Sequence, residues 1–390
     1  METEEFEMIA KTFQGLEEIL AKELIDLGAG NVKVLTRSVG FTGNLEMLYK
    51  ANFYCRTALK VLKPLFRFKA ENVDEVYEKV KEFDWTAIVD PSRTLAVDSV
   101  VFSENFKHTK FLAYRVKDAI ADFFYEKIGK KPSVRVVKPD LQLHIHVEHD
   151  DCTLSIDSSG DSLHKRGYRV AQADASLNEV LAAGLLLLAG WNGKSDLIDP
   201  MCGSGTILIE AAMIALNIAP GVYRPYFAFE RWPDFDKEMF ERLYNDESRD
   251  RRFYRKIYGS DISPKAIAAA EKNIKNAGLG KYISLEVASF QNLKKPSKKT
   301  MLLFNPPPYE RYSYDLHELY ATIGTLLKRY FIGMEAWIFV IPNEVSDKIG
   351  LHFAQKIKLI NGSTQCELRK YEIFKGKRTD FIKNGNTLRR

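Results

Sequence analysis

The sequence predicts an α/β protein whose larger, C-terminal part is a doubly wound parallel sheet closed by an antiparallel hairpin. A smaller α+β module precedes it. Three observations carry this. Beyond about residue 175, strand patterns at 196–199, 256–261, 282–288, 301–304 and 336–341 alternate with helix patterns at 206–216, 264–277, 316–330 and 344–355. Such strand–helix alternation is the mark of a parallel sheet with crossover helices. A glycine turn joins the first of these strands directly to a helix. Before residue 175 the order is instead β-α-β-(β)-α with short turns, which builds a compact α+β unit.

The elements follow from local pattern. Phe6–Ala10 reads as a strand and 15–27 as an amphipathic helix. Gly28-Ala-Gly30 turns the chain into strands at 32–35 and 40–43, and a helix over 44–60 closes the segment. In the next stretch Val73, Val76, Tyr77, Val80 and Phe83 recur at helical spacing. Strands are expected at 95–102 and 133–137, with an amphipathic helix at 111–124 between them. Leu141-Gln-Leu-His-Ile-His-Val147 alternates strictly, with Leu141, Leu143, Ile145 and Val147 on one face and Gln142, His144 and His146 on the other. A polar turn at 149–151 leads to the strand 152–157. Helix 178–190 introduces the parallel sheet, and the runs 356–360 and 366–374, separated by Asn361-Gly362, predict the closing hairpin.

Composition narrows the class. Hydrophobic residues make up 45% and charged residues 28% of 390, as in ordinary globular proteins. The four cysteines (Cys55, Cys152, Cys202, Cys366) lie far apart without a C-x-x-C pair. That argues against a disulfide framework or structural zinc and fits a reducing cytoplasm. The acidic N-terminus does not read as a signal peptide. The most apolar run, 180–191, is too short for the roughly 20 residues a membrane span requires. No membrane, metal or obligate protein partner is expected.

The motif Leu197-Ile-Asp-Pro-Met-Cys-Gly-Ser-Gly-Thr-Ile-Leu-Ile-Glu-Ala-Ala212 carries the first chemistry. Its glycines permit a tight turn and close approach of a ligand, beside the free N–H groups of a helix start. A nicotinamide site would want a third glycine, where Leu208 stands, and an acidic residue about 20 positions on. Here the next strand ends at Asp261, far beyond that. The pattern fits S-adenosylmethionine (SAM) better. SAM has no pyrophosphate, and Asp261 is suited to its ribose hydroxyls. Asp199, Pro200, Cys202, Gly203, Ser204, Gly205, Thr206, Asp261 and Ile262 are the candidate cofactor residues.

The fourth strand of the parallel sheet runs into Asn305-Pro306-Pro307-Pro308-Tyr309-Glu310-Arg311. Consecutive prolines fix carbonyl directions. An Asn side-chain oxygen and a neighbouring carbonyl can accept both hydrogens of an exocyclic amine and aim its lone pair at a methyl donor. Asn305, Pro306, Pro307 and Tyr309 are therefore the candidate catalytic residues, Tyr309 as a stacking aromatic.

The chain resembles the THUMP-domain, SAM-dependent RNA guanine-N2 methyltransferases, and among them the N2-methylguanosine-forming half of the bacterial 23S rRNA large-subunit enzymes. The likeness spans nearly the whole sequence. It rests on Thr12-Phe-Gln-Gly-Leu-Glu-Glu-Ile-Leu20, Tyr114-Arg-Val-Lys-Asp-Ala-Ile120, Ser159-Gly-Asp-Ser-Leu-His-Lys-Arg-Gly-Tyr-Arg169, Asp199-Pro-Met-Cys-Gly-Ser-Gly-Thr206 and Gly259-Ser-Asp261. It implies a ferredoxin-like domain over 1–60 and a THUMP RNA-binding domain over 61–165. A linker and first helix would occupy 166–190, and a Rossmann-like class I methyltransferase domain 191–390. It also implies methyl transfer to a guanine N2 amine in structured RNA, with 23S rRNA or a pre-ribosomal particle favoured over tRNA. Three positions depart from the family pattern. Pro308 stands where the stacking aromatic belongs, with Tyr309 one residue late. Ser289 replaces the Asp expected to take the adenine amine. Ala175-Ser-Leu-Asn-Glu179 lacks the usual proline. These departures motivate the rival reading of a catalytically impaired RNA-binding or ribosome-assembly factor.

Other signals weigh less. His144, His146 and His149 lack acidic or cysteine partners at metal spacing, so a solvated or RNA-facing strand is the expectation. Cys202 reads as a small loop filler rather than a nucleophile. The net charge of +5 equals the excess of eight basic over three acidic residues in 365–390. Within the THUMP zone the charge is locally polarised. Lys107, Lys110, Arg115 and Lys117 form one acid-free run, and Lys127, Lys130, Lys131, Arg135 and Lys138 another. With Arg166 and Arg169 these are the candidate RNA contacts, since the arrangement of charge matters more than its total.

Overall fold

A computed structural model describes residues 4–106, 108–172, 176–293, 300–307 and 315–374. The chain forms two compact units, and they are not consecutive in sequence. One comprises Met1–Thr12, Leu20–Leu163 and Arg224–Asp246; the other comprises Phe13–Ile19, His164–Tyr223 and the chain from Glu247 on.

The N-terminal unit is built on one eight-stranded sheet. Its elements are β1 (Phe6–Lys11), α1 (Glu17–Asp26), β2 (Gly30–Leu35), β3 (Ser38–Gly43), α2 (Leu45–Tyr54), β4 (Lys60–Lys69), α3 (Val73–Glu82), β5 (Thr94–Phe102), α4 (Thr109–Ile128), β6 (Ser133–Val134), β7 (Leu141–Glu148) and β8 (Asp151–Asp157). The strand order is β2-β3-β1-β4-β8-β7-β5-β6. The expected helix over 44–60 is therefore cut short at Tyr54, where Cys55 turns extended. Strand β4 takes the place of its end. Its first residues pair with β1 and the rest with β8, with an irregularity between Pro64 and Phe66. One strand thus belongs to both halves, and the sheet runs unbroken through the expected 60/61 boundary.

The polar face of β7 also differs from expectation. His144 is buried and His146 half-buried rather than solvated. Desolvation, reinforced by Lys60 and Lys11, drops the His144 imidazole to about 3, so it is neutral. His146 falls to about 4 for the same first reason.

The segment Arg224–Asp246 joins this unit through aromatic packing. Tyr49 stacks on Phe229 at 4.5 Å, Phe227 on Phe229 at 5.1 Å, and Phe53 meets Phe240 edge-on at 5.9 Å. The Arg224 guanidinium donates to the carbonyls of Asp161 and Ser162 at 2.8 and 3.1 Å. The expected catalytic domain therefore gives up part of its 191–390 span.

The C-terminal unit holds α5 (Glu179–Leu188), β9 (Asp196–Asp199) and α6 (Thr206–Leu216). After α7 (Lys237–Tyr244), which belongs to the other unit, come β10 (Ile257–Asp261), α8 (Pro264–Asn276), β11 (Ile283–Val287), β12 (Thr300–Phe304), α9 (Leu316–Tyr330), β13 (Glu335–Val340), α10 (Glu344–Asp347), β14 (Gln355–Asn361) and β15 (Thr364–Glu372). The sheet order is β11-β10-β9-β12-β13-β15-β14. The first five strands are parallel, and β15 and β14 close the edge antiparallel. The hairpin turn is Gly362-Ser363, one residue later than expected, because the positive φ of 65° at Gly362 suits glycine. The helix expected over 344–355 is a single turn. It gives way before Gly350, which adopts φ 61°. All eleven residues of α6 are buried. Leu302, Phe304, Ile323, Leu327 and Ile338 form the core beside β12. The segment Phe13–Ile19 belongs here because Gln14 bridges Ile360 on β14 and Leu16 packs against Gly184 of α5, where a Cβ would clash with it.

Candidate active site

In an open parallel sheet, ligands bind at the carboxyl ends of the strands where the strand order reverses. That point here lies between β9 and β12, which pair directly with Leu302 opposite Ile198. On the other side of β9, Gly259 of β10 pairs with Asp199. Three adjacent strand ends therefore present Asp261, Asp199 and Asn305 in order, with neighbouring strands about 4.8 Å apart.

The turn after β9 is tightly braced. Cys202 N–H donates to the Ser260 carbonyl at 3.0 Å, and Gly205 N–H to the Cys202 carbonyl at 2.8 Å. Gly203 N–H donates to Asp261 Oδ2 at 3.0 Å, while Asp261 Oδ1 accepts from Ser263 N–H at 2.9 Å. Gly205 opens α6 at φ 82°, and a Cβ there would come within 3.1 Å of Ala270. A Cβ on Gly259 would press on Leu208, Leu285 and Cys202. Asp199 is buried, with Oδ1 accepting from Met201 N–H at 3.1 Å. Burial, and then the Asp261 charge, push its carboxyl up to about 8. Burial also raises the Cys202 thiol well above its ordinary value, with Asp199 and Asp261 adding to the shift. A thiol held protonated fits a filler, not a nucleophile.

These residues suit SAM. The glycine cradle has no side chain in the ligand's way, and the start of α6 offers N–H groups and a positive dipole end to a carboxylate. Beside Asp261 two apolar side chains stand open, Ile262 at 54% and Val287 at 51% exposure. They offer a surface for a planar base. Sequence patterns alone do not single out Val287, although an exposed valine ending a strand one place over from Asp261 is its signal. The Ser204 and Thr206 side chains are buried and turned toward the linker, so they would serve a ligand through their backbone. Ser289 Oγ accepts from Gln291 N–H at 3.3 Å and caps its own turn.

At the acceptor loop, Asn305 and Pro307 are half-buried and Pro306 is buried. The Tyr320 hydroxyl approaches the Pro307 carbonyl at 3.5 Å. Among the described residues the Asn305 amide has no hydrogen-bond partner. Tyr309 and Pro308 lie outside the described residues.

The candidate RNA contacts divide sharply. In the N-terminal unit, Lys110, Lys127, Lys130, Lys131, Arg135 and Lys138 are exposed. Lys127 and Lys131 reach Asp84 and Asp122 at 3.4 and 2.7 Å, and half-buried Arg115 and Lys117 reach Asp74 and Asp118 at 2.9 and 3.1 Å. Lys110, Lys130, Arg135 and Lys138 have no carboxylate at ion-pair distance among the described residues. Exposed Tyr114, Tyr125, Val136 and Val137 are interleaved with them, the mixture that grips single strands. Lys107 lies outside the described residues. Arg166 and Arg169 require correction, because both turn inward within the C-terminal unit. Arg166 is 2% exposed and pairs with buried Glu210 at 3.4 Å, which also accepts from the Tyr168 hydroxyl at 3.0 Å. Arg169 binds Glu179 and the glycine loop.

Comparison with known proteins places these features in a family. Residues 166–370 match the RMKL-like methyltransferase domain, residues 70–157 the THUMP domain and residues 7–62 the RlmL ferredoxin-like domain. A Synechocystis protein with a provisional RNA methyltransferase name is 36% identical over 369 residues, covering 94% of this chain and 96% of its own. The ribosomal RNA large subunit methyltransferase K/L of Syntrophotalea carbinolica is 38% identical over 92% of this chain. This chain spans about half of that relative's length, 52%. Among solved structures, SMU.472, provisionally described as a methyltransferase and complexed with SAH, superposes with a TM-score of 0.84. Its identity is 28%, over 97% of this chain and 100% of its own. Among the described residues no helix is long and apolar enough to cross a membrane.

Proposed function

Since this chain belongs to the RMKL-like methyltransferase family and is an RNA methyltransferase that uses SAM, we propose that it methylates the exocyclic N2 amine of a guanine in large-subunit ribosomal RNA. The observation that carries the amine chemistry is the Asn305 amide at the switch point beside the glycine loop, which meets no hydrogen-bond partner among the described residues. The substrate class is supported by the THUMP domain and by the names of the K/L relatives.

When bound, SAM supplies an electrophilic methyl group on a sulfonium. Asn305 Oδ1 and the Pro306 carbonyl would accept one amine hydrogen each and aim the nitrogen lone pair along the line of transfer. The same two oxygens would stabilise positive charge as it builds on that nitrogen. The target guanine must leave its stack to reach them. Asp261 would hold the ribose hydroxyls, with Ile262 and Val287 against the adenine. The proton can leave after transfer, so no strong base is needed.

The test is nucleoside mass spectrometry on rRNA and tRNA from a deletion strain complemented with parent or Asn305→Ala. N2-methylguanosine lost from 23S rRNA, restored by the parent and not by the variant, is the expected result. The variant should bind SAH within about twofold of the parent and lose about 10³-fold or more in turnover, the scale of a missing transition-state acceptor. Unchanged N2-methylguanosine in the deletion strain would overturn the guanine-N2 reading. A loss confined to tRNA would move the substrate.

A further inference from the structure

Arg169 has no part in the chemistry described so far, yet four of the five N–H donors of its guanidinium are engaged. Nε donates to Glu179 Oε1 at 2.7 Å and Nη1 to Ser204 Oγ at 2.9 Å. Nη2 donates to the Leu177 carbonyl at 3.0 Å and to Thr206 Oγ1 at 2.9 Å. Ser204 and Thr206 flank Gly205, the positive-φ residue that turns the loop into α6. Glu179 is buried at the start of α5. One planar group therefore ties the glycine loop to the segment that enters α5.

A second clasp runs parallel to it. Asn273 of α8 donates through Nδ2 to the Ser204 carbonyl at 3.0 Å and the Ala171 carbonyl at 2.9 Å. Its Oδ1 accepts from Val170 and Ala171 N–H at 2.8 and 2.9 Å. Ser176 Oγ lies 2.8 Å from Ser204 Oγ. The loop is thus held from the linker side at the Ser204 and Thr206 hydroxyls and at the Ser204 carbonyl.

Such bracing has a physical purpose. A loop with glycines at φ 53° and 82° has many conformations in isolation, and binding must select one unless the fold has already done so. An arginine fork reaches four acceptors in fixed geometry, whereas a lysine ammonium can satisfy few of them. We propose that Arg169 is a positioning residue for SAM. It fixes the Gly203–Thr206 turn from behind, without touching the ligand, and so sets the affinity for the amino-acid end of the cofactor. That end is singled out because the start of α6 favours SAM's only anionic group, its carboxylate, while the ribose acid Asp261 sits on the next strand.

The inference rests on SAM as methyl donor and not on which RNA is modified. Calorimetry on the full chain with SAH and with 5′-methylthioadenosine, which lacks the amino-acid part, tests it. Arg169→Ala should raise the Kd for SAH about tenfold and that for methylthioadenosine less than about twofold, a difference of about 1 kcal/mol. Arg169→Lys should recover only part of the loss. Adding Ser204→Ala or Thr206→Val to Arg169→Ala should cost less than the single changes summed, because they share one network. Unchanged SAH affinity in a folded variant would overturn the proposal, and so would equal weakening of both ligands. If Arg169→Ala does not fold, Arg169→Gln carries the same two-ligand comparison. An error about guanine N2 would leave these affinities untouched.

Discussion

Asp199 offers a prediction that can be worked to a number. Its carboxyl is buried beside Asp261, which lifts it from 3.8 to about 8. At pH 7 roughly nine molecules in ten of the free protein therefore hold a proton there. SAM carries a sulfonium and an ammonium, and placing positive charge at this strand end favours the carboxylate. Uptake of SAM should then expel the proton. Affinity should climb about tenfold per pH unit below 8 and level off above it. That amounts to about 90-fold from pH 6 to pH 9, or about 2.7 kcal/mol. Titration calorimetry at pH 7 in two buffers of different ionisation heat should report about 0.9 proton released per SAM. Asp199→Asn, which keeps an oxygen for Met201 N–H, should flatten the pH dependence and abolish the release. Stability gives an independent sign. A carboxyl whose folded pKa lies above its unfolded value contributes most below about pH 4, and the contribution is lost as pH rises through 8. The ligand-free protein should therefore lose Tm between pH 7 and pH 9, and Asp199→Asn should lose less. A SAM enthalpy independent of buffer, with a Kd independent of pH in the parent, would refute the reasoning.

Two further predictions concern the surface and the core. Changing Lys127, Lys130 and Lys131 to Gln should weaken binding of rRNA fragments and lower the slope of log K against log salt by about one for each phosphate no longer neutralised. Lys130 alone should account for most of it, since Lys127 and Lys131 share their charge with Asp84 and Asp122; unchanged affinity and slope in a filter-binding titration would remove this patch from the RNA path. Gly259→Ala would set a methyl 2.9 Å from Leu285 and 3.2 Å from Cys202, so it should cost about 1–3 kcal/mol, and a melting temperature within about 1 °C of the parent would contradict that packing.

The parallel sheet was legible because buried parallel strands are continuous apolar runs, and Leu302, Leu303 and Phe304 are all buried. The glycine turn was legible because the φ values at Gly203 and Gly205 favour glycine. With those two features fixed, the order of strands put Asp199, Asp261 and Asn305 at neighbouring ends. What stayed hidden depends on residues distant in sequence. Sequence pattern picks out no strand at β4, whose Pro64 cannot donate in a ladder, and only its pairing with both β1 and β8 reveals it. The aromatic residues between 227 and 240 read as part of the catalytic domain, because nothing local announces Tyr49 and Phe53 as their partners.

The two arginines of Arg166-Gly-Tyr-Arg169 show why charge is the weaker guide. A formal count treats every guanidinium alike, whereas a buried one is tolerable only when acceptors surround it. Glu210 and Glu179 supply those acceptors from 44 and 10 positions away. Both acids sit on helices that read as almost wholly apolar, α6 and α5. A lone carboxylate in such a helix carries its own desolvation cost, so its presence is itself evidence for a buried cation elsewhere in the chain. Read that way, Glu179 and Glu210 point back to the linker arginines as interior residues. Lys110, Lys130, Arg135 and Lys138 then remain as the candidate RNA contacts, for they are exposed and meet no carboxylate at ion-pair distance among the described residues.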